Sequence, residues 1–202
     1  MTENAANGQI ADTHGWDTAF GVRFSEINED ISKTKSSPAT FQYAAQDGSV
    51  SIEGTFGDWQ LTTNSDGFLV HVELPVNECS ITLKGVSQPM VIKNASAVLE
   101  IQLAFFETTP ADADPASGTL HHLKVKTTPD SRSVDGKVAT WVSATFATPP
   151  DFDVEVGFRA GILGWANANL GDFGHIFATI NLNAQVAQQQ FQWMVPTHAC
   201  PN

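Results

Sequence analysis

The chain predicts an α+β fold, a long N-terminal helix wrapped by a strongly curved antiparallel β-sheet. Two patterns and one geometric consequence carry that prediction. The stretch THGWDTAFGVRFSEINEDI, Thr13 to Ile31, spaces Trp16, Phe20, Phe24, Ile27 and Ile31 at intervals of 4, 4, 3 and 4. That spacing places all five on one face of a helix of 3.6-residue period. After it the apolar period drops to two and stays there, as in strands that bury one face. A flat sheet of seven or more strands cannot hide its apolar face under a single helix, so it must curl around that helix or pair with itself.

The elements follow in order. Residues 1–11 are small and polar and read as a disordered lead, and residues 12–202 read as one domain. Asp12 or Thr13 supplies a side-chain acceptor for the helix N-terminus. Asp17, Arg23, Glu26, Glu29 and Asp30 fall off the apolar stripe, and KTKSSP closes the helix with basic residues and Pro38.

SVSIEGTFGDWQL then sets Val50, Ile52, Gly54 and Phe56 on one side of a strand. GFLVHVELPV alternates Phe68, Val70, Val72 and Leu74 with Leu69, His71 and Glu73, and ECSITLKGV continues with Cys79, Ile81 and Leu83. SAVLEIQLAFFETT places Ala97, Leu99, Ile101, Leu103 and Phe105 on one face. TLHHLKVKT, KVATWVSATF and FDVEVGFRAGILGW read as three further strands. Turn residues separate these segments at 64–67, 112–118, 127–136 and 148–153, giving an antiparallel meander with one apolar face. FGHIFATINLN, 173–183, fits both periods, and its β-branched residues favour a strand. NAQVAQQQ, a polar connection or short helix, leads to FQWMVPT.

The bulk composition narrows the function classes. Hydrophobic residues make up 42% and charged residues 16%, the balance of a folded chain. Ten Lys and Arg against 22 Asp and Glu give a formal charge of -12. That field repels phosphate backbones and anionic membrane surfaces, which argues against a nucleic-acid partner. MTENAANGQI has neither the basic nor the apolar region of a secretory signal, and no run reaches the ~18 apolar residues of a membrane span. Cys79 and Cys200 are too few for a disulfide framework, so a reduced, cytoplasmic setting is expected, with signal-independent export left open.

Catalytic patterns are missing. The sequence holds no GxxxxGK[ST], no GxGxxG after a strand and no GxSxG. His121 and His122 are adjacent, so on a strand they point to opposite faces and share no metal. Asp112, Asp114, Asp130, Asp135, Asp151 and Asp153 all lie in turns without calcium-loop spacing. The expectation is a non-enzymatic protein with no cofactor and no metal site.

The opening stretch resembles the signature of the P-forty-seven-type proteins of clostridial botulinum neurotoxin gene clusters and their bacterial relatives. Thr13, Gly15, Trp16, Asp17, Phe20, Ile27 and Asn28 carry the likeness, and LGDFGHIFATINLN and FQWMVPT are similar to stretches near that family's other end. The resemblance implies a TULIP-like (tubular lipid-binding) fold. It also implies a role in binding lipid or another hydrophobic molecule, as accessory to a toxin or secreted complex. It carries over no catalytic residue. Family members are longer and hold a second module, so this chain is expected to be a one-module form or a fragment. Trp16, Phe20, Phe24, Ile27 and Ile31 are then either core or the wall of a hydrophobic-ligand groove. The alternative function is a structural or protein-interaction module of the same fold without a cavity, associating through sheet edges or through exposed aromatics such as Trp59 and Trp141.

Overall fold

In a computed structural model of the chain, the structure describes residues 23–66, 69–108, 120–130, 133–173 and 178–181. The described order is α1 (Phe24–Thr34), β1 (Thr40–Ala44), β2 (Val50–Phe56), β3 (Gln60–Asp66), β4 (Leu69–Leu83), β5 (Met90–Thr108), β6 (Leu120–Val125), β7 (Ala139–Phe146), α2 (Phe152–Ala168), a 3-10 turn (Leu170–Asp172) and β8 (Ala178–Asn181).

The two long strands organise the sheet. β4 has 15 residues and β5 has 19, and they pair antiparallel from Leu69–Gln102 to Ile81–Met90. Each also carries two shorter strands in succession. β4 pairs first with β3 and then with β2, while β5 pairs with β7 and then with β6, which pairs onward to β8. Pairing is antiparallel throughout, but the path is not the simple meander expected, because β2 and β7 both bypass a sequence neighbour. The handover on β5 falls at Gln102. Its N–H donates to the Val138 carbonyl at 3.3 Å, and its own carbonyl accepts the Lys126 N–H at 2.9 Å.

The curl has a local cause. Burial alternates on Val70, Val72, Leu74 and Val76, then changes phase to Cys79 and Ile81. In β5 it changes phase between Ile92 and Ala95. The two phase changes meet between the pairs Val76–Ala95 and Glu78–Lys93, which bracket Asn77 and Asn94. Asn94 is left-handed at φ 52°, a conformation asparagine tolerates better than most residues, and the β2–β4 register slips between Thr55 and Phe56. Asn77 Nδ2 donates to the Phe56 carbonyl at 3.0 Å and holds that irregularity. Bulges increase local twist, so this line bends both long strands together. Pro75 is accommodated in mid-strand because it sits where β3 gives way to β2. No ladder donor is needed there, and its carbonyl takes the Gly57 N–H at 2.8 Å.

The helix seated against the inner face of the curled sheet is α2, which corrects the reading of FDVEVGFRAGILGW as a strand. The alternation that suggested β runs through Phe152, Val154, Val156 and Phe158, but burial does not follow it, since Phe152 and Val156 are exposed. From Val154 onward the buried residues are Val154, Gly157, Phe158, Gly161, Ile162, Trp165 and Ala166, the three-and-four spacing of a helix face. Its glycines are contact surface. A Cβ on Gly157 would stand 2.5 Å from Leu83 Cδ2, and one on Gly161 would stand 2.5 Å from Ile52 Cγ2. Only hydrogen at those positions lets the helix axis drop this close to β2 and β4.

The N-terminal helix is described from Phe24 to Thr34, 11 residues, with Lys35 left-handed at φ 52° and its N–H on the Ile31 carbonyl. Arg23 is extended (φ -78°, ψ 132°) and stands at the N-cap, so the described helix begins at Phe24 and not at the Asp12 or Thr13 cap expected; residues 13–22, with Trp16 and Phe20, lie outside the described residues. Two further differences concern strands. TFQYA forms β1, which no segment above anticipates, and GFLVHVELPV and ECSITLKGV merge into the single strand β4. The ambiguous 173–183 segment contributes β8, as its β-branched content favours.

Candidate functional site

A groove was expected between the N-terminal helix and the sheet; the helix inside the curl is α2, and side chains fill the space between it and the sheet. Phe41 stacks on Phe56 at 4.2 Å between centroids, Phe56 meets Trp165 at 4.8 Å, and Trp165 meets Phe173 at 5.7 Å. Phe173 then takes Trp59 edge-on at 5.6 Å. A second group closes the other side, with Phe146 and Trp141 both edge-on to Phe158 at 5.2 and 6.3 Å. Phe158, Ile162, Trp165, Phe173 and Trp59 are each 2% exposed or less. Edge-on and offset pairs of this kind add about 0.5–1.5 kcal/mol each beyond the area they bury. Trp59 is thus core and no docking aromatic, because the β2–β3 turn folds it inward. Trp141 is half-buried, with the Arg159 guanidinium 5.9 Å from its ring centroid.

The opening stripe is used in the same way where it is described. Ile31 is 0% exposed and Ile27 8%, and half-buried Phe24 packs against the same core. Polar contacts hold this face down. Asn28 Oδ1 accepts the Leu61 N–H at 2.7 Å while Asn28 Nδ2 donates to the Leu61 carbonyl at 3.0 Å. One side chain thereby copies a strand partner on β3. Ser32 Oγ donates to Asp58 Oδ2 at 2.8 Å, and Lys35 Nζ reaches the same oxygen at 3.2 Å. The Ser32 hydroxyl and then the Lys35 ammonium hold the Asp58 carboxyl below its ordinary value.

α2 carries a matching device that sequence reading missed. Asn167 Oδ1 accepts the N–H groups of Val138 and Ala139, each at 3.1 Å, and Asn167 Nδ2 donates to the Ala139 carbonyl at 2.9 Å. Each helix thus clamps one strand end through one asparagine. Asn28 was legible as a signature residue; Asn167 had no local signal, because the groups it meets come from a segment 28 residues away.

The remaining features are polar. An open cleft of about 530 Å³ lies beside β1 and the end of α2, edged by Thr40, Gln42, Glu53, Thr55, Asn169 and Asp172. Its floor, Phe41 and Trp165, is almost wholly buried, so the cleft offers carboxylates, amides and hydroxyls and little apolar surface. On the sheet face opposite the core, Thr62, His71, Glu100 and Thr140 form one row across four strands. His71 Nε2 lies 3.3 Å from Glu100 Oε2, and Thr140 Oγ1 donates to Glu100 Oε1 at 3.4 Å.

His121 and His122 are consecutive residues of β6, as the sequence implied. Asp130 pairs with Lys126, and Asp151 caps α2 through its carbonyl, while Asp112 and Asp114 lie outside the described residues. Among the described residues no group of three or more His, Cys, Asp or Glu is arranged to hold a metal ion. No described helix is long and apolar enough to cross a membrane. Burial pushes the Cys79 thiol up to about 11, which keeps it protonated and a poor nucleophile.

The described fold is a curled antiparallel sheet packed on a helix, with its interior occupied by aromatic side chains. Residues 13–200 match the family described as OrfX-like, Protein OrfX2/OrfX3/P47, and the chain belongs to that family. It is 26% identical over 210 residues to Protein OrfX3 of Paraclostridium bifermentans, covering 92% of this chain and 41% of that protein. It is 24% identical over 203 residues to Protein OrfX3 of Clostridium botulinum (strain Kyoto / Type A2), with the same coverage of 92% and 41%. The chain therefore spans well under half the length of these curated relatives. In fold it is similar to the solved structure of P47 from Clostridium botulinum A2, at a TM-score of 0.59 and 18% identity over 79% of this chain and 35% of that one. The crystal structure of P47 of Clostridium botulinum E1 gives a TM-score of 0.53 and 17% identity over 79% and 34%.

Proposed function

We propose that this chain is a non-catalytic accessory module that acts by associating with another polypeptide, in the manner of a toxin-complex or secreted-complex component. The observation that supports the reading is the filled interior. The residues that would line a ligand groove, from Phe24, Ile27 and Ile31 on α1 to Phe158, Ile162 and Trp165 on α2, pack on each other and on the sheet. The charge of -12 favours a partner with a basic face, since complementary fields speed encounter and suppress wrong partners.

A second reading, a TULIP-type module that binds lipid or another hydrophobic molecule along the stripe from Trp16 to Ile31, has one observation in its favour. Past Gln102 the core face of the sheet continues as Leu103 and Phe105 on β5 and Leu123 and Val125 on β6, and Phe105 and Leu123 are only half-buried. An acyl chain would lie well against such a strip. Native mass spectrometry with solvent extraction of the purified protein separates the two readings. A mass equal to the polypeptide or a whole multiple of it, with no extractable lipid even after incubation with phospholipid vesicles, is expected. Stoichiometric bound lipid would replace the association reading with the second.

A further inference from the structure

α2 is apolar on two sides, and among the described residues only one of them is covered. Opposite its seat on the sheet, Phe152, Val156, Ala160 and Leu163 follow one another at intervals of 4, 4 and 3, so they form a single row along the helix. Phe152 is 77% exposed and Val156 49% exposed; Ala160 is exposed, and Leu163, at the end of the row, is half-buried with part of its side chain against the core. Single exposed apolar side chains are ordinary on a protein surface, but a row of this kind on a helix that already buries its other face is what a covered helix looks like.

The charges beside the row indicate what covers it. On one flank stand Glu155 and Arg159, both exposed, and the Arg159 guanidinium is already steadied 5.9 Å from the Trp141 ring centroid. A two-fold axis perpendicular to α2, passing midway between Val156 and Ala160, brings a second α2 antiparallel onto the first. Such an axis keeps each flank facing the same flank of its partner. Arg159 of each copy then lies within two residues, a rise of ~3 Å, of the level of Glu155 of the other. The same operation sets Phe152 over Leu163 and places small Ala160 at the crossing, where close approach of two helices needs it. The row and its charges are therefore self-complementary, although a chain of net charge -12 repels itself over most of its surface.

We propose that the outer face of α2 is a self-association surface on which a second copy of this chain docks through its own α2, antiparallel and two-fold symmetric. The proposal goes beyond the association reading above, whose partner is a different, basic-faced polypeptide, and adds a surface on which the chain meets its own copy.

The test is sedimentation equilibrium of the purified chain from low to high micromolar concentration. The wild-type chain should reach twice its 21.7 kDa mass at the upper end. Val156→Glu, at an exposed position, should raise the dissociation constant ~10-fold or more. Arg159→Glu and Glu155→Arg should each weaken the dimer, and the two together should restore it, a rescue that general misfolding would not give. A monomer at every concentration overturns the proposal, as does a dimer that ignores Val156→Glu or a double exchange no better than the singles. A lipid-free monomer removes the α2 surface alone and leaves association with a different protein standing. A lipid-bound monomer removes both.

Discussion

The two helices are seated on the same sheet by different physics. α2 is held by shape: three glycines lower it onto β1, β2 and β4, and Phe158, Ile162 and Trp165 fill the space around them. α1 contributes two buried isoleucines and depends for its position on a polar latch, Asn28 on Leu61 with Ser32 and Lys35 on Asp58. Buried shape complementarity is cooperative with the whole core, whereas a partly exposed latch can open by itself. α2 should therefore unfold only with the sheet, and α1 should open in a separate, less costly step.

The largest expected effect falls on α2. Trp165→Ala removes the ring that joins Phe56 to Phe173 and should cost ~3–5 kcal/mol, read as one cooperative shift of the denaturant midpoint. A shift well under 2 kcal/mol would mean that the aromatic run is not a single packed unit. Gly161→Ala comes next at ~1–3 kcal/mol, since its methyl group meets the fully buried Ile52 and neither side has room to give. Ordinarily an alanine in a helix stabilises by up to ~1 kcal/mol relative to glycine, so a neutral or stabilising result would deny that α2 lies this close to β2.

On the α1 side the corresponding change is Asn28→Ala. It strips Leu61 of both partners at once and should cost ~1–2 kcal/mol. The distinguishing readout is local. Native-state hydrogen exchange should quicken at α1 and at the Leu61 amide while the amides of β4 and β5 stay protected. Uniform loss of protection across the sheet would show that α1 and α2 belong to one cooperative unit, and the contrast drawn between them would fail.

The same contrast explains what the sequence showed and what it hid. Period-two alternation located the core faces of β2, β4 and β5 residue by residue, because Val50, Ile52, Val70, Val72, Leu99 and Ile101 bury by the local rule of a pleated strand. Ile27 and Ile31 were legible as an inward face for the equivalent helical reason. α2 was misread because Phe152, Val154, Val156 and Phe158 alternate as in a strand, while the contacts that seat its glycines, Ile52 and Leu83, come from distant strands. The single strand β4 was split in two because its phase changes at Asn77, where a bulge outweighs the alternation. The stripe was rightly singled out as apolar, but its apolarity could not tell core from ligand wall; that depended on whether α2 occupied the inside of the curl.

The smallest effect concerns Asp58. Its carboxylate joins the β2–β3 turn to the C-terminal turn of α1 through Ser32 and Lys35, and its side chain remains 36% exposed, so solvent screens the pair. Asp58→Asn should cost no more than ~0.2–1 kcal/mol. The pH dependence has a definite sign. The folded carboxyl titrates below its ordinary value of 3.8, so the unfolded chain takes up the proton first as the medium is acidified. Its contribution is complete above that ordinary value and is lost as pH falls through it towards the folded titration point. Acid titration of α1 exchange in wild type and Asp58→Asn should therefore give two curves that stand apart at neutral pH and converge as the pH falls below 3.8. Curves that remain parallel to the acid limit would place the stabilisation in the hydrogen bonds alone. In that case the charge on Asp58 contributes nothing, and the latch on α1 is one of hydrogen bonds, from Asn28 and Ser32.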